Sequence, residues 1–374
     1  MEQFEIIIPT LLGLEAFAAR ELRRMGYEEL TVEDGRITFM GDLEAVCRAN
    51  LFLRTGERVL IKIAQFTART FDELFENTKA ADWSAWIDRN DKFPVKGHSI
   101  KSQLASVPDC QSIIKKAIAV SLSSKYGIEK LPEDGALYQV QFSLRSDTVT
   151  LMLDTSGAPL HKRGYRQKSN GAPLRETIAA AMVMMSHWKY EFPFADPFCG
   201  SGTIPIEAAM FKQNIAPGLN RSFAAEQFSQ IPQALWNVCR AEARDMRRGL
   251  PLEMHVSDID ADCVSLTAHN AQEAGVGEYI KPKRADARNF LCGTPNGTII
   301  CNPPYGERMG ETRECEKLYK QMGQVFMRMP DWSYYILTSN ERFEQLFGRR
   351  ASKRRKVYNG MLKCNVYQYF APKK

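Results

Sequence analysis

The stretch DPFCGSGT, residues 196–203, connects a short apolar strand pattern, FPFA, to the helical pattern TIPIEAAMFKQ. Glycines at such a junction let the backbone approach a ligand closely, and the first helical turn offers unpaired N–H groups. Pro205 replaces the third glycine of a dinucleotide fingerprint, and the Gly-Lys-Ser/Thr of a phosphate loop does not follow. Asp196 would repel phosphate but can bind an ammonium or hydroxyl group. The loop therefore fits a nucleotide-like ligand without pyrophosphate, although an ordinary turn explains it equally well.

Strand and helix patterns alternate after this loop, which is typical of a parallel α/β sheet. Asp258 ends the second predicted strand, in HVSDID, and Asp286 follows the third, in RADARNF. Because ligands of such sheets bind in the crevice at the carboxyl ends of the strands, acids at successive ends converge on one site. We expect Asp258 to reach ribose hydroxyls and Asp286 to bind an adenine amino group.

The hexapeptide CNPPYG, residues 301–306, ends the fourth predicted strand. Proline donates no ladder hydrogen bond, so the motif does not continue the sheet. The Asn302 side chain and the Pro303 carbonyl can accept hydrogen bonds, and Tyr305 offers a ring face to a planar base. Two acceptors that hold the hydrogens of an exocyclic amine also stabilise the positive charge that its nitrogen gains on alkylation. The alternative, a proline-rich turn with a core tyrosine, is disfavoured by the position at the fourth strand end.

The whole chain divides into four parts by pattern. Residues 1–66 predict a β-α-β-β-α-β unit of the ferredoxin-like type, and residues 67–155 predict a second α+β block. Residues 156–172 are glycine-rich, basic and aperiodic, which predicts a linker, and residues 173–374 predict a Rossmann-like α/β domain. Hairpin turns are predicted at Asp34-Gly35, Ser146-Asp147 and Asn359-Gly360.

Composition indicates an ordinary globular protein. The 374 residues suffice for two or three domains, and 44% hydrophobic with 25% charged residues is usual. No apolar run approaches the roughly 18 residues of a membrane span, and the N-terminus does not resemble a secretory signal. Nine cysteines without a C-x-x-C pair favour reduced thiols and argue against a zinc site. We therefore expect a cytoplasmic protein without membrane or metal partners, whose net charge of +6 is compatible with nucleic acid but does not require it.

Two basic stretches are candidate RNA contacts. Arg163, Tyr165 and Arg166, in HKRGYR, can cover a cofactor or contact phosphate, and a solvated connector explains them equally well. The run GRRASKRRK predicts a phosphate-contacting rim beside the active site, against the alternative of an edge strand kept basic to prevent strand pairing. The cations of this run are Arg349, Arg350, Lys353, Arg354, Arg355 and Lys356.

The motifs DPFCGSGT, SDID, ADAR and NPPYG, in this order, resemble those of S-adenosylmethionine-dependent amino-methyltransferases. The first half, with HKRGYR and APLRETIAAAM, resembles the THUMP-domain RNA guanine-N2 methyltransferases, which include bacterial 23S rRNA and tRNA enzymes. The resemblance covers nearly the whole chain and is more specific in the second half. It implies a ferredoxin-like unit and a THUMP domain, followed by a Rossmann-like methyltransferase.

The same resemblance implies the site residues. S-adenosylmethionine would lie against Asp196, Phe198, Gly200, Gly202 and Thr203 on its methionine side, Asp258 and Ile259 at its ribose, and Asp286 and Ala287 at its adenine. The target base would be held by Asn302, Pro303 and Tyr305. RNA would be contacted by Arg163, Arg166, Arg349, Arg350, Arg354 and Arg355.

Several alternatives stay open at this point. Guanine-N2 methylation of 23S rRNA is favoured over that of tRNA. Adenine-N6 methylation of RNA or DNA is a further alternative, because Asn-Pro-Pro-Tyr also occurs in adenine-N6 enzymes. A different class is an RNA-binding or assembly factor that keeps an inactive fold, against which the intact Asp196, Gly200, Gly202, Asn302 and Tyr305 argue. The sequence leaves the target nucleotide and the oligomeric state open.

Overall fold

The computed structural model describes residues 3–166, 174–306 and 309–372. Two seven-stranded sheets organise the chain, one in each half. The final part of the predicted linker, residues 167–172, lies outside the described residues. Within the described part of the chain, no helix has both the length and the apolar character that crossing a membrane requires.

The first sheet lies in the N-terminal half and has the strand order β2-β3-β1-β4-β7-β6-β5. Its strands and the accompanying helices are β1 (Phe4–Pro9), α1 (Glu15–Arg24), β2 (Leu30–Glu33), β3 (Arg36–Gly41), α2 (Leu43–Phe52), β4 (Leu60–Thr67), α3 (Phe71–Ala80), β5 (Val95–Ile100), α4 (Val107–Tyr126), β6 (Val140–Arg145) and β7 (Thr148–Asp154). The first four strands have the ferredoxin-like order, which confirms that prediction.

Local sequence signals set the ends of several of these elements. Asp42 caps α2, because its side chain accepts a hydrogen bond from the Ala45 N–H. The predicted hairpins join β2 to β3 and β6 to β7. The helix that follows β4, α3, ends at Ala80. A short 3-10 turn follows it, and the Trp83 indole donates to the Thr78 carbonyl at 2.7 Å, which folds the aromatic segment back onto α3.

The second block extends the first sheet and does not form a sheet of its own. β4 pairs with β7 in antiparallel fashion, from Leu60 opposite Asp154 to Thr67 opposite Thr148. β6 pairs with β7 in the same way, and β5 pairs with β6 in parallel. Backbone pairing of β4 with β7, with one register shift between Lys62 and Ala64, therefore connects the ferredoxin-like unit to the second block.

The second sheet has the order β10-β9-β8-β11-β12-β14-β13. The elements of this half are α5 (Glu176–Ser186), β8 (Phe194–Asp196), α6 (Thr203–Lys212), α7 (Gln233–Asp245), β9 (Met254–Asp258), α8 (Ala261–Glu273), β10 (Lys283–Arg284), β11 (Thr298–Cys301), α9 (Met309–Phe326), β12 (Ser333–Thr338), α10 (Phe343–Phe347), β13 (Lys353–Asn359) and β14 (Leu362–Tyr369). Strands β8 to β12 are parallel, and β13 and β14 form the predicted hairpin.

The direction in which the strands are added reverses beside β8. From β8 the chain proceeds outward to β9 and β10, and then crosses to β11 and β12 on the other side. A reversal of this kind opens a crevice at the carboxyl ends of the two central strands, here β8 and β11. This topology confirms the predicted Rossmann-like fold and determines where a ligand can bind.

The predicted linker is partly buried where the structure describes it, since Arg163 and Tyr165 are buried and Lys162 and Gly164 are exposed. Arg163 is 2% exposed and Tyr165 is 3% exposed. The Arg163 guanidinium donates to the carbonyls of Leu160 and Arg54, and its Nε lies 3.4 Å from Glu207 Oε1. Tyr165 also donates to Glu207, at 3.2 Å. The prediction that Arg163 contacts RNA is therefore wrong, because its charge is enclosed between the N-terminal half and α6.

Candidate functional site

The loop between β8 and α6 has the backbone of a ligand-binding turn. Gly200 and Gly202 have φ angles of +52° and +85°, in a backbone region that residues other than glycine rarely adopt. A Cβ atom at Gly202 would lie 2.9 Å from a methyl carbon of Thr267, whereas one at Gly200 would meet open space. The N-cap of α6 has no side-chain hydrogen bond, so the first N–H groups of the helix are available to a ligand.

Asp196 ends β8 as a buried carboxyl group with one unpartnered oxygen. Its side chain is 1% exposed, and Oδ1 accepts the Phe198 N–H at 3.0 Å. Among the described residues, Oδ2 has no hydrogen-bond partner. Burial, with a smaller contribution from the charge of Asp258, raises the pKa of Asp196 well above its usual value. An ammonium group would pair with Oδ2 and stabilise the ionised form, so this residue fits the amino group of S-adenosylmethionine.

A cleft of about 160 Å³ lies between the carboxyl ends of β8 and β11. The residues that line it are Leu174, Asp196, Phe198, Cys199, Gly200, Ser201, Thr203, Ile204, Cys263 and Asn302. It brings predicted cofactor residues of the glycine loop together with Asn302 of the predicted base site. A methyl donor bound at the glycine loop and an amine bound at Asn302 would lie side by side in this cleft, as alkyl transfer requires.

Asp258 connects the end of β9 to the glycine loop. Its Oδ2 accepts the Gly200 N–H at 2.9 Å, and its Oδ1 accepts the Asp260 N–H at 3.0 Å. Ile259, between the two acids, is 57% exposed. Each carboxylate oxygen has a second lone pair, so contact of Asp258 with a ribose hydroxyl stays a prediction consistent with this geometry.

Asp286 lies outside the cleft that holds Asp196. It lines a separate cavity of about 480 Å³ with Arg288, Gln321 and neighbouring residues. The Arg288 guanidinium donates to Oδ2 at 2.8 Å, and this bond lowers the pKa of Asp286. The next residue, Ala287, is 4% exposed. An adenine amino group would have to share the carboxylate with Arg288, so the adenine role of Asp286 stays a prediction.

The Asn302 side chain accepts a hydrogen bond within its own motif. The Tyr305 hydroxyl donates to Asn302 Oδ1, the atom that the sequence assigns to the substrate amine. The Tyr319 hydroxyl donates to the Pro304 carbonyl at 2.7 Å, which anchors the proline turn on α9. A base entering this site would replace the tyrosine hydroxyl on Oδ1. The geometry supports Asn302 as an acceptor, and the stacking role of Tyr305 stays a prediction.

Two residues of α8 support the glycine loop and were not singled out from the sequence. The Thr267 hydroxyl donates to the Gly200 carbonyl, and the Asn270 amide donates to the Ser201 carbonyl, both at 2.8 Å. Both side chains are fully buried. They stand three positions apart, which places them on one face of the helix. Polar residues on the buried face of an amphipathic pattern are the signal that could have identified them.

Arg166 contacts residues that line the cleft. It donates to the Thr203 hydroxyl at 2.8 Å and to the Leu174 carbonyl at 3.0 Å, and it forms an ion pair with Glu176 at 2.8 Å. Thr203 and Leu174 both line the cleft. Of the interpretations that the sequence allowed for Arg166, these contacts favour covering the cofactor over binding RNA phosphate.

The basic run near the C-terminus spans both ends of the sheet. Cys301 pairs with Ile336, Ile336 with Tyr367 and Tyr367 with Arg354, so Arg354 is level with the end of β11. Arg349 lies over the ring of Tyr369, whose partner Tyr334 is near the amino end of β12.

This register corrects part of the predicted RNA rim. Arg349 and Arg350 precede β13 at the end of the sheet away from the site, so they do not flank it. Arg355 donates to the Gly13 carbonyl at 2.8 Å and lies over the ring of Phe17, which makes it a contact between the two halves of the chain. Arg354 keeps the position that the prediction requires.

One group of potential metal ligands occurs within the described residues. Glu253, His255 and Cys292 bring one ligand atom each within 4.8 Å of the others. His255 Nε2 is hydrogen-bonded to Glu253 at 2.8 Å and lies 3.6 Å from Cys292 Sγ. Because β9 begins at Met254, the group lies at the amino end of that strand, away from the cleft. Cysteine spacing alone gave no indication of it.

Family profiles match all three folded parts of the chain. The RlmL ferredoxin-like domain matches residues 5–60, and the THUMP domain matches residues 68–154. The family UPF0020, described as an RMKL-like methyltransferase domain, matches residues 163–368, more than half of the chain.

Similar proteins carry methyltransferase names. Putative RNA methyltransferase YpsC of Bacillus subtilis is 48% identical over an alignment of 374 positions, which covers 99% of this chain and 97% of that protein. Ribosomal RNA large subunit methyltransferase K/L of Psychromonas ingrahamii is 33% identical over 98% of this chain and 50% of its own length. The chain therefore spans about half the length of the latter relative.

Solved structures agree over the full length. A Listeria monocytogenes protein described as a predicted N6-adenine-specific DNA methylase is 46% identical with a TM-score of 0.95, covering 100% of this chain and 97% of that one. The putative methyltransferase SMU.472, solved as a complex with SAH, is 39% identical with a TM-score of 0.94 and full coverage of both chains. With the profile matches, these likenesses show that the chain belongs to the RMKL-like methyltransferase family, with an RlmL ferredoxin-like domain and a THUMP domain preceding the methyltransferase domain.

Proposed function

We propose that this S-adenosylmethionine-dependent methyltransferase transfers a methyl group to the exocyclic N2 amine of a guanine in RNA, with 23S rRNA as the favoured substrate. The observation that carries the proposal is the position of Asn302, which lines the same cleft as Asp196 and the glycine loop. An amine held there lies beside the sulfonium end of the cofactor. The name of the Psychromonas relative supports large-subunit rRNA as the substrate.

The proposed chemistry needs hydrogen-bond acceptors at the amine. Asn302 Oδ1 and the Pro303 carbonyl accept the two amine hydrogens and stabilise the positive charge that develops on nitrogen. Asp196 binds the amino group of the cofactor, while Thr267 and Asn270 hold the loop against which the cofactor lies. When bound, S-adenosylmethionine supplies an electrophilic methyl group.

The four parts predicted from the sequence have distinct roles in this proposal. Residues 1–66 and 67–155 form the ferredoxin-like and THUMP parts that bind RNA, residues 156–172 connect them to the catalytic part, and residues 173–374 carry out the transfer. The shared first sheet supports this division of labour, because it gives the RNA-binding half one continuous framework. Reduced cysteines and an RNA substrate make the cytoplasm the proposed location.

Adenine-N6 methylation is the second candidate. The Listeria structure carries an adenine-specific DNA name, and an adenine amine would fit the same pair of acceptors. A DNA enzyme would need a domain that recognises duplex sequence, whereas the additional domain here matches the THUMP profile. This favours an RNA substrate but does not distinguish the two bases, so the test has to identify the methylated atom.

The test uses deproteinised rRNA and tRNA from a strain that lacks this protein, incubated with the purified chain and isotopically labelled cofactor. Mass spectrometry of the digested nucleosides reports both the RNA and the methylated atom. Labelled N2-methylguanosine in 23S rRNA is the expected product. N6-methyladenosine would establish the second candidate, and absence of label from every RNA, together with absence of cofactor binding in calorimetry, would identify an inactive fold.

A further inference from the structure

A cavity of about 470 Å³ lies where the two halves of the chain meet. The charged side chains that line it are Glu21, Arg24, Arg48, Arg54, Lys212 and Arg248. Lys212 is the last residue of α6, whose first residue belongs to the glycine loop. A helix of 10 residues is about 15 Å long, so this cavity is separated from the cofactor cleft by roughly that distance.

Cations outnumber carboxylates among the side chains that line this cavity, because Glu21 is the one acidic residue in its described lining. The two oxygens of Glu21 accept hydrogen bonds from the Arg54 and Thr55 N–H groups and from the Thr55 hydroxyl. Burial raises the pKa of Glu21, while these hydrogen bonds and the charge of Arg54 oppose that shift. Arg48 is neutralised by an ion pair with Glu242.

The remaining four cations have no such partner. Across residues 3–166, 174–306 and 309–372, no carboxylate lies within ion-pair distance of Arg24, Arg54, Lys212 or Arg248. Helix dipoles account for Arg24 and Lys212, which end α1 and α6, but Arg54 and Arg248 do not end a helix.

Arg54 is the clearest example of a buried cation without an ion-pair partner. It is 6% exposed, donates one hydrogen bond to the Ile215 carbonyl at 2.8 Å, and has an Nη1 atom without a hydrogen-bond partner. A buried guanidinium is costly unless an anion compensates it. Burial lowers the pKa of Arg54, although the charges of Glu21 and Glu207 oppose the shift. Burial likewise lowers the pKa of Lys212, where the charge of Glu191 opposes the shift and that of Arg248 adds to it. A bound anion would relieve both effects.

We propose that this cavity binds a phosphate group at a site remote from the methyl-transfer cleft. Phe52 and Phe211 line the cavity beside the cations, so a base or ribose attached to the phosphate would have an aromatic surface to lie against. The phosphate comes either from the backbone of the RNA substrate or from a free nucleotide. The RNA source rests on the proposed function, whereas phosphate binding as such does not.

The test compares two charge-reversal pairs in the full chain. Arg24→Glu with Arg248→Glu alters the cavity, and the control pair Arg23→Glu with Arg247→Glu makes the same charge change at the adjacent exposed residues, which do not line the cavity. Calorimetry with inorganic pyrophosphate measures anion binding. We expect binding by wild type and by the control pair, and a loss of about tenfold or more in the cavity pair, the scale of one charge-assisted hydrogen bond.

An RNA arm identifies the source of the phosphate. If the cavity holds the RNA backbone, the cavity pair should flatten the plot of log affinity against log salt by about 0.7 to 0.9 per lost phosphate contact, more than the control pair does. Loss of pyrophosphate binding with equal salt slopes in both pairs assigns the cavity to a free nucleotide. Absence of pyrophosphate binding by wild type, or equal loss in both pairs, overturns the proposal. A wild type that binds pyrophosphate but methylates no RNA would refute only the proposed function.

Discussion

At the scale of single residues, Asp196 shows how a binding site can oppose stability. Its pKa in the folded chain lies above the value of 3.8 for an unperturbed aspartate, chiefly because of burial. Between the two values the folded chain binds more protons than the unfolded chain, so the contribution of this group to stability falls as pH rises through that window. Near neutral pH the carboxyl group therefore makes the cofactor-free protein less stable.

We predict that Asp196→Asn keeps or raises the melting temperature of the cofactor-free protein and weakens cofactor binding by about 1.5–3 kcal/mol, the scale of a lost charged hydrogen bond. Thermal unfolding and calorimetry measure the two effects. In wild type, pairing with the cofactor ammonium should lower the pKa of Asp196. At pH values between the pKa of the free and the bound form, binding should therefore release a proton, which calorimetry detects in buffers of different ionisation enthalpy. Equal affinity of wild type and variant would remove Asp196 from the cofactor site.

The bond between Tyr305 and Asn302 leads to a second prediction. Asn302→Ala should bind cofactor and RNA almost normally and lose roughly a hundredfold or more in kcat, because its acceptor bonds strengthen as charge develops on nitrogen. Tyr305→Phe keeps the ring and removes the competing hydroxyl, so it should retain kcat within a few-fold, whereas Tyr305→Ala should not. If Asn302→Ala kept the wild-type kcat under saturating substrate, the acceptor role of Asn302 would be wrong.

At the scale of elements, the β13–β14 hairpin places basic residues at both ends of the sheet, and Arg354 and Lys356 lie at the end where the cleft is. Arg354 is level with Cys301, and Lys356 pairs with Asn365, the partner of Thr338 at the end of β12. We predict that Arg354→Ala with Lys356→Ala weakens RNA binding and flattens the salt dependence by about 1.4 in slope, taking about 0.7 per phosphate contact of single-stranded RNA. A filter-binding salt series gives the slope.

The same hairpin supplies the control. Arg349→Ala with Arg350→Ala removes the same charge at the opposite end of the sheet and should leave the slope near that of wild type. Parallel plots for all three proteins would show that the run is an edge strand protected by charge. Cofactor affinity should be unchanged in both variants, because neither pair lines the cleft.

At the scale of the whole molecule, a buried ion pair connects the two halves. Arg163 and Glu207 are 2% and 0% exposed and lie 3.4 Å apart, and Arg163 also donates to the Arg54 carbonyl. Removing one partner of a buried pair leaves an uncompensated charge, which costs about 3–5 kcal/mol. We predict that Arg163→Leu lowers the free energy of unfolding by this amount in urea titrations.

Lys162→Leu is the matched control for this prediction. Lys162 is the exposed neighbour of Arg163, and its replacement should change stability by less than about 0.5 kcal/mol, as is usual for surface positions. If Arg163→Leu instead kept its stability and flattened the salt dependence of RNA binding, the original expectation of an RNA contact would be restored.

The sequence by itself determined the features that depend on neighbouring residues. Strand and helix patterns, the hairpin turns, the Asp42 cap and the glycine loop were predictable, because hydrophobic period, turn chemistry and capping act over a few positions. The acids at successive strand ends were also predictable, since parallel strands bring their carboxyl ends to one edge.

Only the tertiary structure decided which distant segments meet. The burial of Arg163, the joining of β4 to β7 and the contact of Arg355 with Gly13 all depend on packing between segments far apart in the chain. The same packing brings together the cations that line the cavity between the two halves of the chain, which come from four separate segments. A basic residue has the same local signature whether it faces RNA or a buried carboxylate, because charge in a sequence carries no information about what lies opposite it once the chain has folded.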